Sequence, residues 1–286
     1  MYLVAGITGK TGAAAASTLL AGGRKVRAIV RDKAKAAAWA ARGVELVEGD
    51  MGDSAALEKA MAGVAGAYLL VPPNVGHPDP VGEYAEVALA VRRAALAAGL
   101  PRLVFLSSEG AQHNGGNGPI RGSHQGETIL PGAAARLTFL RASFFQENWQ
   151  GMLGLAQAQG ILPTMFADVD NKRSMIATAD IGRVAAGLLT EASPPALVEL
   201  ASGTLYSARD AANAFAAALG KPVAPVQPPR DQWHGILTGA GLPEPYAALI
   251  AEMYDGINSG HVAFTGQGRQ EKGGVGLQET VRSWVK

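Results

Sequence analysis

Cysteine is absent from this chain of 286 residues, and aromatic residues make up only 6% of it. The first absence excludes a disulfide scaffold, a thiolate metal site and a cysteine nucleophile. It is compatible with a reducing compartment, and a cytoplasmic location is expected. Charged residues reach only 17% against 48% hydrophobic ones, which excludes disorder as the main state. No excess of one sign exists: 25 basic and 24 acidic residues leave a net charge of +1. A dedicated nucleic-acid binder usually carries a basic excess or stripe, so none is expected here. No run of 18 or more apolar residues is present, so no membrane helix is expected. Met1 to Ala5 is apolar but has no basic leader before it, which predicts an unexported and complete chain.

What is present is alternation. Apolar runs at Tyr2–Ala5, Lys25–Val30, Val44–Val47, Ala67–Val71, Arg102–Leu106 and Arg136–Leu140 read as strands. Helical stretches separate them: Ala13–Ala21, an alanine-rich segment from Asp32 to Arg42, a helix from Asp53 to about Gly63, and Val81–Ala98. Strands and helices at this spacing predict an α/β fold with a doubly wound parallel sheet of the Rossmann type over residues 1–150. Residues 151–286 are richer in proline and read as a smaller cap over the sheet's carboxyl edge, with some segments returning to the sheet. Ala179–Thr190, Ser207–Leu219 and Pro243–Gly256 are its expected helices.

The first turn carries the strongest chemistry. Gly6-Ile-Thr-Gly9-Lys-Thr-Gly12 follows a strand and opens a helix. Glycine lets the backbone approach a pyrophosphate, and the helix N-terminus supplies free N–H groups. Thr8, Lys10 and Thr11 are placed to add donors. A plain tight turn is the rival reading, but the strand–turn–helix context favours the dinucleotide. Gly9-Lys10-Thr11 also resembles the end of a P-loop. That motif needs glycine five residues earlier, where Val4 stands, so the triphosphate reading fails.

Other strand ends complete the expected cofactor path. Arg31 ends the second strand, with Lys33 and Lys35 behind it, and an arginine there suits the 2′-phosphate of NADP. NADP(H) is therefore preferred over NAD(H). Asp50 and Met51 follow the third strand, Val71, Pro72 and Pro73 the fourth, Ser107 and Ser108 the fifth, and Ser143 and Phe144 the sixth. Phe144, Phe145, Trp149 and Tyr246 are expected to line a pocket for a planar apolar substrate, with the core of the cap as the rival reading.

At these residues the chain resembles the NmrA-like family of atypical short-chain dehydrogenases. The Gly6–Gly12 turn, Val30-Arg-Asp32, Gly49-Asp50 and Leu106-Ser-Ser108 carry the resemblance, with Leu140 to Asn148 and Ile176 to Gly182 beyond them. Gly241-Leu-Pro-Glu-Pro245 and Tyr254 to Gly260 are similar to the quinone oxidoreductase and triphenylmethane reductase branch. The resemblance implies an NADP-binding Rossmann domain with a small substrate domain. It also implies hydride transfer to a quinone or similar conjugated aromatic acceptor.

One departure matters. Ordinary short-chain dehydrogenases use Tyr-x-x-x-Lys, and none of the six tyrosines here has lysine four residues on. Nor does Gly122 to Glu127 contain the lysine of the isoflavone reductase branch. His124 is the nominated acid, since histidine titrates near neutrality, with a surface helix position as its rival reading. His77 and His113 are assigned to solvent, Asp180 to a helix N-cap, and no metal site is expected. A non-catalytic NADP(H)-sensing regulator and an azo, imine or enone reductase are the alternatives. A homodimer is compatible with the sequence.

Overall fold

The computed structural model describes residues 1–285. Its centre is an eight-stranded parallel sheet. The first half of the chain alternates β1 (Tyr2–Ala5), α1 (Lys10–Ala21), β2 (Val26–Val30), α2 (Ala37–Ala40), β3 (Glu45–Glu48), α3 (Ser54–Met61), β4 (Gly66–Leu69), α4 (Pro80–Ala97), β5 (Arg102–Ser108), α5 (Ile120–Ile129) and β6 (Arg136–Ala142). Then come β7 (Phe144–Phe145), α6 (Leu153–Gln159), β8 (Ile161–Pro163), β9 (Arg173–Ile176), α7 (Thr178–Thr190), β10 (Leu197–Ser202) and β11 (Leu205–Tyr206). The chain closes with α8 (Ala208–Leu219), β12 (Ala224–Val226), α9 (Trp233–Gly239), α10 (Glu244–Ser259), β13 (Arg269–Gly273) and α11 (Leu277–Arg282).

The sheet order is β13-β10-β6-β5-β4-β1-β2-β3. From β1 the chain steps outward to β2 and β3, then returns to place β4 on the other side of β1. That reversal opens a crevice at the carboxyl ends of β1 and β4, where ligands of such sheets bind.

Period-two alternation divides the core. Val4 joins the layer under α1 and α7, with Ile7, Leu19, Ile181 and Leu188. Leu3 and Ala5 face the layer under α3 and α4, with Leu57, Met61, Val91 and Phe105. A third core, of Phe144, Trp149, Leu162, Phe166, Met175, Phe215 and Val281, belongs to the C-terminal part. That part also sends β10 and β13 into the main sheet beside β6. Its α7 lies against α1 because Gly182 has no side chain: a Cβ there would come within 2.5 Å of Ala14 Cβ and Thr11 O.

Two local expectations need correction. The alanine-rich segment after Asp32 is not one helix to Arg42. Asp32 Oδ1 does accept from the Ala34 N–H at 2.8 Å, but a 3₁₀ turn and the four-residue α2 follow. Alanine propensity favours a helix, yet only Ala36 in that stretch is buried, so packing adds little to sustain it. Asp180 is not an N-cap either. It sits inside the first turn of α7, buried, where it accepts from the Val275 N–H at 2.8 Å and pairs with Arg183. None of the described helices is long and apolar enough to cross a membrane.

Candidate cofactor and acceptor site

The three glycines of the first turn have different geometric duties. Gly6 has φ +64°, a conformation that L side chains rarely adopt. Gly12 packs against the strand: a Cβ there would stand 2.3 Å from Gly6 O and 2.5 Å from Ala5 O. Gly9 lies at the open side, where a Cβ would meet only Gly6 O at 3.2 Å. It is the N-cap of α1 and offers no side-chain cap. The N–H groups of Lys10, Thr11 and Gly12 precede the first helical bond, from Ala13 N–H to Gly9 O, and so have no partner within the helix. Three other helix starts are closed by side chains: Asp53 caps α3, Asp79 caps α4, and Ser207 with Asp210 boxes α8. The start of α1 is left open to an anion, and a diphosphate fits it.

Thr8 and Lys10 are exposed on this turn, and Lys10 Nζ donates to Gln150 Oε1 across the crevice. Thr11 turns the other way. It is 7% exposed and lies beside the buried Tyr68 side chain.

Arg31 and Lys33 stand exposed just past β2, and Arg31 makes no hydrogen bond or ion pair among the described residues. Asp50 Oδ1 is engaged by the Gly52 N–H at 2.9 Å, and Met51 packs partly against the sheet. The cationic end of the crevice is thus free at Arg31. Replacing Arg31 with alanine is expected to weaken NADPH by roughly 10–150-fold and NADH little. A charged hydrogen bond to phosphate is worth ~1.5–3 kcal/mol, and each 1.4 kcal/mol is tenfold. Parallel titrations of both cofactors check it; equal losses would remove Arg31 from the 2′-phosphate.

Past β4, Val71, Pro72, Pro73 and Asn74 form one wall of a small cavity, and Tyr246 of α10 and Pro119 form another. Pro80 and Val81 connect it to a larger cavity of about 630 Å³ between the start of α4, α5 and α10. Tyr246 is half-buried, and burial raises its phenol above the usual value. The structure therefore brings Tyr246 to the loop expected to meet the cofactor.

The strand ends beyond are less open than the sequence suggests. Ser107 is 4% exposed and donates to Glu127 Oε1 at 2.6 Å. Glu127 in turn holds Arg141 through two bonds of 2.9 and 2.6 Å. This pair fixes α5 to β5 and β6, and it engages the Ser107 hydroxyl proton. Ser143, 2% exposed, accepts from Ser174 Oγ at 2.8 Å in a hydroxyl cluster with Ser202. Its side chain is likewise engaged. Ser108 Oγ donates to the Glu109 carbonyl.

The aromatic residues divide too. Trp149 is 4% exposed, packs edge-on to Phe144 and Phe166, and its Nε1–H points to Met175 Sδ at 3.4 Å. Phe144 is buried among Trp149, Phe166 and Tyr254. Phe145 packs on the sheet. These three belong to cores rather than to the cavities above; of the four expected substrate contacts, Tyr246 lines one.

His124 lies on α5 with Nδ1 2.9 Å from the Ala111 carbonyl, which makes Nδ1 the donor and leaves Nε2 free to accept. His113 is not a solvent residue. It stacks on His261 at 3.9 Å between centroids, and burial with neighbouring cations lowers its pKa. Among the described residues no group of three His, Cys, Asp or Glu could hold a metal.

Sequence reasoning missed Glu109. It follows β5 directly, its Oε1 accepts the Phe144 N–H at 3.1 Å, and burial pushes its carboxyl up to about 7. The signal was the third residue of Ser107-Ser108-Glu109, read only as far as the serines.

The sequence pattern of the NmrA-like family matches residues 2–265. An NAD(P)H azoreductase of Xenophilus azovorans is 30% identical over 261 residues, 89% of this chain and 86% of its own length. Quinone oxidoreductase 2 of Escherichia coli is 28% identical over 91% of this chain and 89% of its own length. Among solved structures, an NADPH complex of an E. coli quinone oxidoreductase superimposes with a TM-score of 0.79 at 25% identity, covering 99% of both chains. A Citrobacter triphenylmethane reductase shares the fold, with a TM-score of 0.79 at 23% identity and 99% of both chains.

Proposed function

The chain belongs to the NmrA-like family, and from that premise we propose that it reduces a quinone or similar conjugated aromatic acceptor with NADPH. It is an NAD(P)H-dependent oxidoreductase of the quinone, azo and dye reductase type, with NADP(H) preferred. The observation that carries the reading is the glycine turn that opens α1 at the sheet's reversal point, with Arg31 at one end of the crevice making no hydrogen bond or ion pair among the described residues.

The bound nicotinamide supplies the hydride; the chain supplies position. The free N–H groups of Lys10, Thr11 and Gly12 hold the diphosphate, and Arg31 and Lys33 receive the 2′-phosphate. Val71 to Asn74 and Tyr246 bound the space beside the reacting ring, where the planar acceptor lies against Tyr246. Holding two reactants in register removes much of the entropic barrier.

NADPH consumption followed in air with a panel of quinones, azo dyes and triarylmethane dyes tests this. Turnover of at least one class is expected, and none with any of them would overturn the reading. His124→Ala is expected to lower kcat for a simple quinone by about tenfold or less, below the ~10²–10⁴-fold range of a dedicated acid. Its Nδ1–H is engaged by Ala111, and a hydroquinone anion can take its proton from water. A thousandfold loss in steady-state kinetics would make His124 the acid after all.

A further inference from the structure

Lys10 stands where a helix least favours a cation. It is the first residue of α1, at the positive end of the helix dipole, and no acidic residue accompanies it in the first turn. Among the described residues its ammonium forms no ion pair. Exposed arginines elsewhere pair with carboxylates, Arg209 with Asp170 and Arg230 with Asp255. The partner of Lys10 is instead a neutral amide, Oε1 of Gln150, which lies 140 residues along the chain and on the other side of the crevice.

A fixed platform delivers Gln150. It belongs to a 3₁₀ segment, Gln146–Met152, that follows β7. Its neighbours there are spent on the interior. Gln146 Nε2 donates to the Met175 and Val275 carbonyls at 2.9 and 3.1 Å, and its Oε1 accepts from Thr280. Glu147 accepts the Thr178 N–H at 3.0 Å, at the start of α7, and Trp149 is buried in the aromatic core. α7 in turn lies against α1 at Gly182, whose missing Cβ admits the Thr11 carbonyl. These contacts set the 146–152 segment and the glycine turn at one spacing, and Gln150 is left to reach Lys10 between them.

We propose that Gln150 is a positioning residue for the cofactor: its amide oxygen holds the Lys10 ammonium beside the glycine turn, where that charge meets the diphosphate. This rests on the reading of the Gly9 turn as the diphosphate seat. An ammonium has three N–H donors, so two remain for phosphate oxygens while Gln150 takes one. Lysine is among the side chains that lose most freedom on ordering. The bond to Gln150 meets part of that cost before the cofactor arrives. An amide suits the task better than a carboxylate, because it orients the ammonium and leaves its charge to the ligand. It also explains why a cation is kept at the unfavourable end of α1: the dipole and the ammonium act together on one anion. The diphosphate is common to both cofactors, so Gln150 serves NADPH and NADH alike, unlike Arg31.

The test is a double-mutant cycle read by binding. Gln150→Ala, Lys10→Met and the two combined are titrated with NADPH and with NADH by nicotinamide fluorescence, with thermal melts alongside. Gln150→Ala is expected to raise Kd for both cofactors by about five- to tenfold, with Tm unchanged. Lys10→Met removes the charge itself and should raise Kd by roughly 10–150-fold. Adding Gln150→Ala to Lys10→Met should then change nothing further, because Gln150 acts only through Lys10. Gln150→Glu keeps an oxygen for Lys10 but sets a negative charge beside the diphosphate. It should weaken both cofactors, and the loss should grow as salt is lowered. Additive losses in the combined variant, a loss confined to NADPH, unchanged binding in Gln150→Ala, or Gln150→Glu binding as tightly as wild type overturns the proposal alone. If Gly9→Val binds both cofactors normally, the diphosphate lies elsewhere, and the proposal falls with that reading.

Discussion

Replacing Gly9 with valine is expected to abolish binding of NADPH and NADH alike while leaving the fold in place. The backbone at Gly9, with φ −95° and ψ −177°, is one that valine adopts readily. A Cβ there meets only Gly6 O, at 3.2 Å, which a shift of a few tenths of an ångström relieves. The present residue contributes no side-chain cap, so no cap is lost. What the valine methyls occupy is the space over the Lys10, Thr11 and Gly12 N–H groups. Hydrogen bonds to a charged partner are worth ~1.5–3 kcal/mol each, so losing two or three weakens binding by at least about a hundredfold. Gly12→Ala provides the contrast. Its Cβ would sit 2.3 Å from Gly6 O, against backbone that cannot yield, so the fold itself should be damaged. Cofactor titration with circular dichroism and a thermal melt separates the two. Unchanged affinity in a well-folded Gly9→Val protein would show that the diphosphate does not lie on this turn.

The geometry of the Gly9 turn was readable because it is local. Seven consecutive residues set the turn, the cap and the helix start. Arg31 was readable for the same reason, since its place at a strand end follows from the strand. Ser107, Ser143 and Thr11 were not. Ser107 donates to Glu127, Ser143 accepts from Ser174 and Thr11 is buried beside Tyr68, and none of these neighbours is near in sequence. A serine at a strand end looks the same whether its partner is a ligand or a residue twenty positions on. The sheet itself shows the same limit. Six strands carry apolar runs, but β13 is Arg-Gln-Glu-Lys-Gly and has no such run. It is a strand because it pairs with β10 and closes the edge of the sheet. Glu109 lies between the two cases: its position was visible, while its burial depends on contacts distant in sequence.

Trp149→Ala is expected to cost about 3–5 kcal/mol of stability, the usual range for an aromatic deleted from a core, and to leave KM for the acceptor unchanged in the protein that folds. The ring is buried between Phe144 and Phe166, its N–H rests on Met175 Sδ, and alanine would leave a cavity lined by those three. In a chain of this size each kcal/mol lowers Tm by roughly 2–4 °C, so the shift is easily measured. Tyr246→Ala should behave in the opposite way. Tyr246 is half-buried on α10 and faces Val71 to Asn74 across open space, so its removal deletes little core packing and should raise KM by several-fold. Thermal melts and steady-state kinetics of both variants form a double dissociation. If Trp149→Ala raises KM with Tm unchanged, the acceptor enters the aromatic cluster around Phe144. If Tyr246→Ala leaves KM alone, the cavity beside residues 71–74 is not where the acceptor lies.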